Sequence, residues 1–263
     1  MSTKNNGIKL FDTHCHLDFP AFDADRKKIY QIARENGVSG LVIPGVKRSG
    51  WRLIRQLAAL MEGVHSALGL HPMFMDDHQE KDIHDLELAL SIGPIVAVGE
   101  IGLDFQEGRA NQAAQEKLFH RQLQIAKDAR LPVILHVRRA HEEVLKQLRM
   151  VNFQYGGIVH AYSGDFNQAK RYDDFGFKLG MGGAITFQRA VKVRSLVAEL
   201  PLHQLVMETD APDMAPATCR GQRNTPVHIF DNFQALCQIR KESPSVLAQQ
   251  TTLNAREVLR LDD

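Results

Sequence analysis

Eight short apolar runs recur along the chain, and most are apolar at successive positions rather than alternate ones. In order they are KLFDTHCH (9–16), GLVIPG (40–45), HSALGLHP (65–72), IVAVGEIGLD (95–104), PVILHVR (132–138), GIVHAYS (157–163), FKLGMGG (177–183) and LVMETDAP (205–212). Continuous apolarity over so few residues predicts strands buried on both faces, as in a parallel sheet covered by helices. The stretches between them repeat apolar residues at helical spacing. They cover 23–36, 49–63, 82–93, 111–130, 140–150, 167–176 and 191–200, and two further helical stretches follow the last strand at 226–241 and 244–260. Stop signals agree with the period: Asp23 or Asp25 opens the first helix, Gly37 closes it, and Pro132 and Pro201 end two others.

Strict alternation of strand and helix leaves two architectures, a closed barrel or an open doubly wound sheet. Dividing 263 residues by eight gives about 33 per unit, enough for a strand, a loop and a crossover helix. No G-x-G-x-x-G follows the first strand, where a dinucleotide fold needs its phosphate turn. The expectation is a single (β/α)₈ TIM barrel over residues 1–263, without a linker, close repeat or low-complexity tract.

Polar residues embedded late in the strands carry the chemistry. His14 and His16, two apart, share a strand face, so both imidazoles can meet one ion. Glu100, His136, His160 and Asp210 occupy the same late position in other strands. Only a closed barrel brings strands one, four, five, six and eight around one point, and it does so at the C-terminal face. Burying these groups without partners would cost several kcal/mol. Four histidines and two carboxylates exceed the ligand set of one catalytic zinc and predict two divalent ions roughly 3.5–4 Å apart. Glu100 is the natural bridge, with His14, His16 and Asp210 completing one site and His136 and His160 the other. Zinc is the first expectation for such mixed ligands, and manganese or magnesium is compatible.

The blocks FDTHCHLD, GLHP, VGEIGLD, ILHVRRAH, VHAYSG, METDAP and QRNTP resemble, in order, the signature blocks of the TatD family of metal-dependent hydrolases, nearest to its bacterial YjjV-type branch. The resemblance spans residues 11–226. It implies a TIM barrel of the amidohydrolase superfamily, a two-metal site and deoxyribonuclease activity, with the ligands falling on His14, His16, Glu100, His136, His160 and Asp210. One departure stands out: many members carry an acidic residue where this chain has Arg139. No lysine sits late in strand four, so Glu100 takes the place that a carboxylated lysine holds in other amidohydrolases.

Around these ligands, His71 is expected either to approach a substrate phosphate or to cap the loop before Pro72. Arg138 and Arg139 directly follow a ligand strand and are candidate phosphate clamps. Arg223 and Asn224 are substrate candidates through the resemblance. Asp12 and Glu208 are expected to orient ligand imidazoles through their other nitrogen, although Asp12 has a backbone bond as its alternative, and Asp104 is expected near the mouth. Cys15 reads as a packed thiol. Lys47 and Arg48 are available to a basic mouth.

Composition removes several classes. With 32 Lys and Arg against 31 Asp and Glu, no basic coat exists for nonspecific nucleic-acid binding. Cys15, Cys219 and Cys237 form no disulfide framework, and the opening MSTKNNGIKL lacks an export signal, so a cytoplasmic location is expected, without membrane or obligate protein partner. The resulting expectation is a two-metal phosphodiesterase cleaving DNA ends or short oligonucleotides, with Asp210 as proton acceptor and Glu100 holding both ions. An amide, ester or lactone hydrolase on the same site is the alternative, and a catalytically silent metal-binding scaffold is the alternative of another class.

Overall fold

Every expected strand forms, and all eight pair in parallel in sequential order. In the computed structural model, which describes residues 7–261, they are β1 (Leu10–Asp12), β2 (Val38–Pro44), β3 (Val64–Leu68), β4 (Ala97–Asp104), β5 (Val133–Arg138), β6 (Gly157–Val159), β7 (Phe177–Met181) and β8 (Leu205–Met207). The polar residues 1–6, which opened the stretch read against an export signal, lie outside the described residues, as do 262–263. The barrel closes between β1 and β8 through backbone bonds: Thr13 N–H to Met207 O at 3.0 Å, Asp210 N–H to His14 O at 2.8 Å and His16 N–H to Ala211 O at 2.8 Å. Cys15 and Ala211 form a parallel bridge in the same seam.

Seven helices carry the chain from each strand to the next: α1 (Arg26–Glu35), α2 (Trp51–Leu60), α3 (Glu80–Leu90), α4 (Gln112–Asp128), α5 (His141–Val151), α6 (Phe166–Asp174) and α7 (Val191–Glu199). After β8, α8 (Ile229–Ile239) packs beside the barrel, and α9 (Pro244–Val258) lies against the start of β8, where Asn254 Nδ2 donates to Leu205 O at 2.7 Å. Asp25 occupies the expected cap position of α1, but its side chain makes no capping bond there. Its carboxylate is held by Arg223 instead, a charge-assisted pair that outcompetes a neutral backbone donor. No helix among the described residues is long and apolar enough to cross a membrane.

Two apolar clusters follow from the alternation of side chains across each strand. One fills the shell between sheet and helices, and Cys15 lies within it as a packed thiol. The other takes Phe11, Val42, Ala67, Ala97, Ile134, Ile158 and Val206, from every strand except β7, together with the end of α9. This plug fills the lower barrel, so the inward positions above it are the ones left to polar groups. β7 contributes Gly180 instead, and what fills its space belongs to the site.

His141, at the start of α5, is buried beside Tyr162 and Tyr172, with its Nδ1 3.2 Å from the Tyr172 hydroxyl. Burial pushes its pKa down to about 4, against the opposing pull of Asp165 and Glu142 and with a smaller contribution from Lys192. The unfolded chain therefore takes up a proton below pH 6.5 that the folded chain refuses until about pH 4. Stability lost through His141 on acidification grows across that window to about 3 kcal/mol. Urea unfolding of metal-free protein between pH 4.5 and 7 should show a smaller pH dependence in His141→Gln than in the parent; parallel curves would show that His141 does not titrate in this way.

Candidate metal centre

The candidate ligand side chains leave the barrel wall where the ladder ends. β1 stops at Asp12, β6 at Val159 and β8 at Met207, so His14, His16, His160 and Asp210 stand just past their strands rather than within them. The chain turns out of the ladder there, with Asp210 at φ +56° and Ala161 at φ +43°, which aims the groups inward. Glu100 arrives differently. The β4–β5 register shifts between Val98 and Ile101, and this irregularity presents the carboxylate to the interior. A side chain at Gly99 would meet Ile134 Cβ at 2.7 Å, so the residue before Glu100 has no room for one.

Four donor atoms converge at the β1–β8 seam. His14 Nε2 lies 3.2 Å from His16 Nε2, 3.3 Å from Glu100 Oε2 and 3.7 Å from Asp210 Oδ1. His16 Nε2 lies 3.5 Å from Glu100 Oε2 and 3.6 Å from Asp210 Oδ1. Direct charged hydrogen bonds would draw such pairs to about 2.7–2.9 Å. Donors sharing one tetrahedral ion with bonds of 2.0–2.1 Å stand about 3.3–3.4 Å apart, a value inside the 3.2–3.7 Å range of these distances. The residues therefore fit a cation, and they are the three ligands and the bridge expected of the first site.

Glu100 turns its other oxygen elsewhere: Oε1 lies 3.1 Å from His136 Nδ1 and 3.2 Å from His71 Nε2. His160 Nε2 faces Asp210 Oδ2 at 3.6 Å, and its ring stacks on His14 with centroids 3.6 Å apart. Three groups of donors result: His14, His16 and Glu100; His14, His160 and Asp210; His71, Glu100 and His136.

Carboxylates set the orientation of two rings. Asp104 Oδ2 accepts from His136 Nε2 at 2.8 Å, which leaves the Nδ1 lone pair facing the centre. Glu208 Oε1 stands 3.0 Å from His160 Nδ1 and accepts from Ala161 N–H at 2.7 Å. Asp12 takes its backbone alternative. It accepts from the N–H groups of Thr209 and His14 and from the Thr209 hydroxyl, so it fixes the chain rather than a ring. Nδ1 of His14 and of His16 has no protein partner.

His71 takes the second of its two expected places, the cap, and adds a contact to Glu100. Its Nδ1 accepts from Met73 N–H at 3.0 Å and caps the turn after Pro72, so the neutral ring carries its proton on Nε2 and donates to Glu100. Burial pushes its pKa down to about 4, which keeps the ring neutral. It positions the carboxylate.

The electrostatics of the protein alone describe a centre short of positive charge. Burial opposes ionisation of Glu100 and Asp210, but His71 and His14 around the first and His160 around the second outweigh it and hold both below the usual carboxylate range. Burial and the neighbouring His160 hold His14 neutral. Burial also opposes protonation of His16 and His160, yet Glu100 raises the first and Glu208 and Asp210 raise the second.

The remaining candidates separate. Arg138 is exposed and lines the cavity above the centre, whereas Arg139, at φ +54°, is not on the cavity wall. Arg223 is bound to Asp25 at 2.6 and 3.0 Å and lies over the Phe22 ring. Asn224 is fully buried and donates to Thr209 O and Asp213 O at 2.8 and 2.7 Å, bracing the loop after β8 from within. Neither residue is on the cavity wall. Asp18 went unread in the sequence: it is buried two residues past His16, with Oδ1 unpartnered, and its spacing after H-x-H was the available signal. Phe19, Phe74, Ser163, Asp213 and Met214 also line the cavity without any sequence signal of their own.

Two outcomes follow. A Cβ at Gly180 would stand 2.0 Å from Glu208 Oε2, so Gly180→Ala should displace the carboxylate and loosen His160, lowering metal affinity by about 10- to 100-fold in a folded barrel. Metal titration alongside circular dichroism checks it. Arg223→Ala should change turnover by less than about threefold and stability by less than about 1 kcal/mol, because it loses an exposed ion pair. Steady-state rates and urea melts of that variant decide whether the residue touches substrate.

The family model described as TatD related DNase matches residues 11–260. The metal-dependent hydrolase YjjV of Escherichia coli K12 is 39% identical over 92% of this chain and 94% of its own length. A protein of Yersinia pseudotuberculosis named 3'-5' ssDNA/RNA exonuclease TatD is 31% identical over 96% of this chain and 100% of its own length. The crystal structure of YjjV superposes with a TM-score of 0.91 and covers 95% of this chain and 97% of that one. With the barrel, the order of the ligand strands and the converging donors all in agreement, the chain belongs to the TatD family of metal-dependent hydrolases, on its YjjV-type branch.

Proposed function

We propose that the protein is a two-metal phosphodiesterase acting on the ends of DNA or on short oligonucleotides. The observation that carries this reading is the division of Glu100, whose Oε2 faces His14 and His16 while Oε1 faces His136. One carboxylate between two donor groups is what a pair of ions requires of its bridge. His14, His16, Glu100 and Asp210 would hold one ion, and Glu100, His136 and His160 the other, with His160 reaching it from beside His14 and Asp210, the donors it groups with; zinc is the first expectation, with manganese or magnesium compatible. When bound, such ions polarise a phosphoryl oxygen and acidify water.

The chain's own groups supply the rest. Asp210 lies on the cavity wall, is held ionised, and is the acceptor for the proton of the attacking water. His71, donating to Oε1, and Asp104, through His136, keep Glu100 and its neighbour in register. Arg138, at the rim, is placed to pair with a phosphate. The exonuclease name of the Yersinia relative supports nucleic acid as the substrate class.

Reconstituted protein should bind two divalent ions per chain by elemental analysis, and Glu100→Ala should lose hydrolysis and part of that metal while staying folded. Normal occupancy and rate in that variant would remove Glu100 from the bridge. Asp210→Asn keeps the size of the side chain but cannot take a proton at neutral pH. Turnover should fall by about 10²- to 10⁴-fold at saturating metal, with a smaller change in KM. Near-normal turnover at full occupancy would place the proton acceptor elsewhere.

A further inference from the structure

The charge around the mouth is already spent. Lys47 is bound to Asp77 at 2.7 Å, Arg48 to Asp85 with Asp82 at 3.7 Å, and Arg223 to Asp25. Among the described residues, Arg138 is the only Lys or Arg that lines the cavity. A polymer tracked along its backbone needs a row of cations, each worth about 0.7 in the salt slope of single-stranded binding. This mouth offers one.

Apart from Ser163 and the exposed Asp213, the rest of the rim is largely apolar and open to water. Met73 and Met214 are 57% and 41% exposed, and the half-buried rings of Phe19 and Phe74 line the same cavity of about 500 Å³ as the metal donors. Both rings are fixed from behind. Phe19 stacks on His16 with centroids 4.4 Å apart and planes at 16°, and the Lys47 ammonium sits 4.1 Å over Phe74, itself tethered by Asp77. Rigid aromatic faces beside a single cation are the parts of a stacking platform, which accepts any base because every base has a π face.

We propose that the rim formed by Phe74, Phe19, Met73 and Met214 is a seat for one nucleobase, and that Arg138 holds the single phosphate next to it. The substrate is then read as one terminal nucleotide, without regard to base identity or to the length of the chain behind it. This rests on the phosphodiesterase reading above and adds to it the unit recognised. Exposed methionines suit the purpose, since their flexible thioethers repack around purine or pyrimidine alike. Double-stranded ends would have to fray first, because a paired base cannot reach the seat.

The test uses metal-loaded protein and single-stranded oligonucleotides of two, four and ten residues, each made with a normal or an abasic terminal nucleotide. The base-bearing ends should be cleaved with kcat/KM about 10- to 100-fold above the abasic ends. That ratio should collapse toward 1 in Phe74→Ala and return in Phe74→Trp, which restores a π face. The log–log slope of kcat/KM against salt should stay near −0.7 at all three lengths. Equal cleavage of base-bearing and abasic ends would overturn the seat while leaving the phosphodiesterase reading intact. A slope of about −2 or steeper, growing with length, would overturn the single-phosphate contact. Failure to cleave any phosphodiester would overturn the parent reading and the seat together.

Discussion

The seam between the first and last strands carries the site, and the Asp12 carboxylate holds that seam. Its Oδ1 takes the N–H groups of Thr209 and His14 at 3.0 and 3.2 Å, and its Oδ2 takes the Thr209 hydroxyl at 2.7 Å. Burial pushes this acid up to about 8 against the hydrogen bonds from Thr209 and His14. Without it, buried donors would be left unsatisfied at about 1–3 kcal/mol each. With the two strand ends locked, the backbone bonds from Asp210 to His14 and from His16 to Ala211 place three of the candidate metal donors by main-chain geometry. Barrel closure and ligand placement are thus one event.

The opposite side of the centre is arranged by space rather than by bonds. β7 supplies no ligand, and at Gly180 it withdraws to admit Glu208, whose carboxylate fills the volume a side chain would need. Glu208 in turn faces His160, as Asp104 faces His136, so the rings borne past β6 and on β5 each answer to a carboxylate. His14 and His16 have no such partner on Nδ1 and are held by the seam and by ring contacts with His160 and Phe19. The two halves of the donor set are oriented by different physics.

Strand positions and the convergence of the candidate donors were legible because both rest on local rules. A run buried on two faces is apolar throughout, and a polar residue late in such a run costs too much to be idle. The donors converge as that reasoning requires. The strand ends were less legible, since the ladder at β1, β6 and β8 stops where the chain turns inward, and no residue type announces an Asp at φ +56°. The roles of Asp12, Arg223 and Asn224 lie further from reach: each is decided by a partner remote in sequence or by a loop fold, as with Arg223 and Asp25, 198 residues apart. Phe74 and Met214 carried no signal, because an apolar residue in a loop reads the same whether it packs or waits for a ligand.

The departure at Arg139 changes meaning once the mouth is seen. Many members carry an acidic residue there, and the sequence pairs Arg139 with Arg138 as candidate phosphate clamps. Arg139 is off the cavity wall, however, and the guanidinium at the rim is that of its neighbour Arg138. Along β5, His136 faces the centre, and Arg138, two residues on, shares that inward parity; Arg139 follows after the strand ends. The strand alternation that delivers a ligand to the floor therefore also delivers the cation to the rim. The cation at the cavity rim is tied to the register of the barrel, and the side chain after it is not.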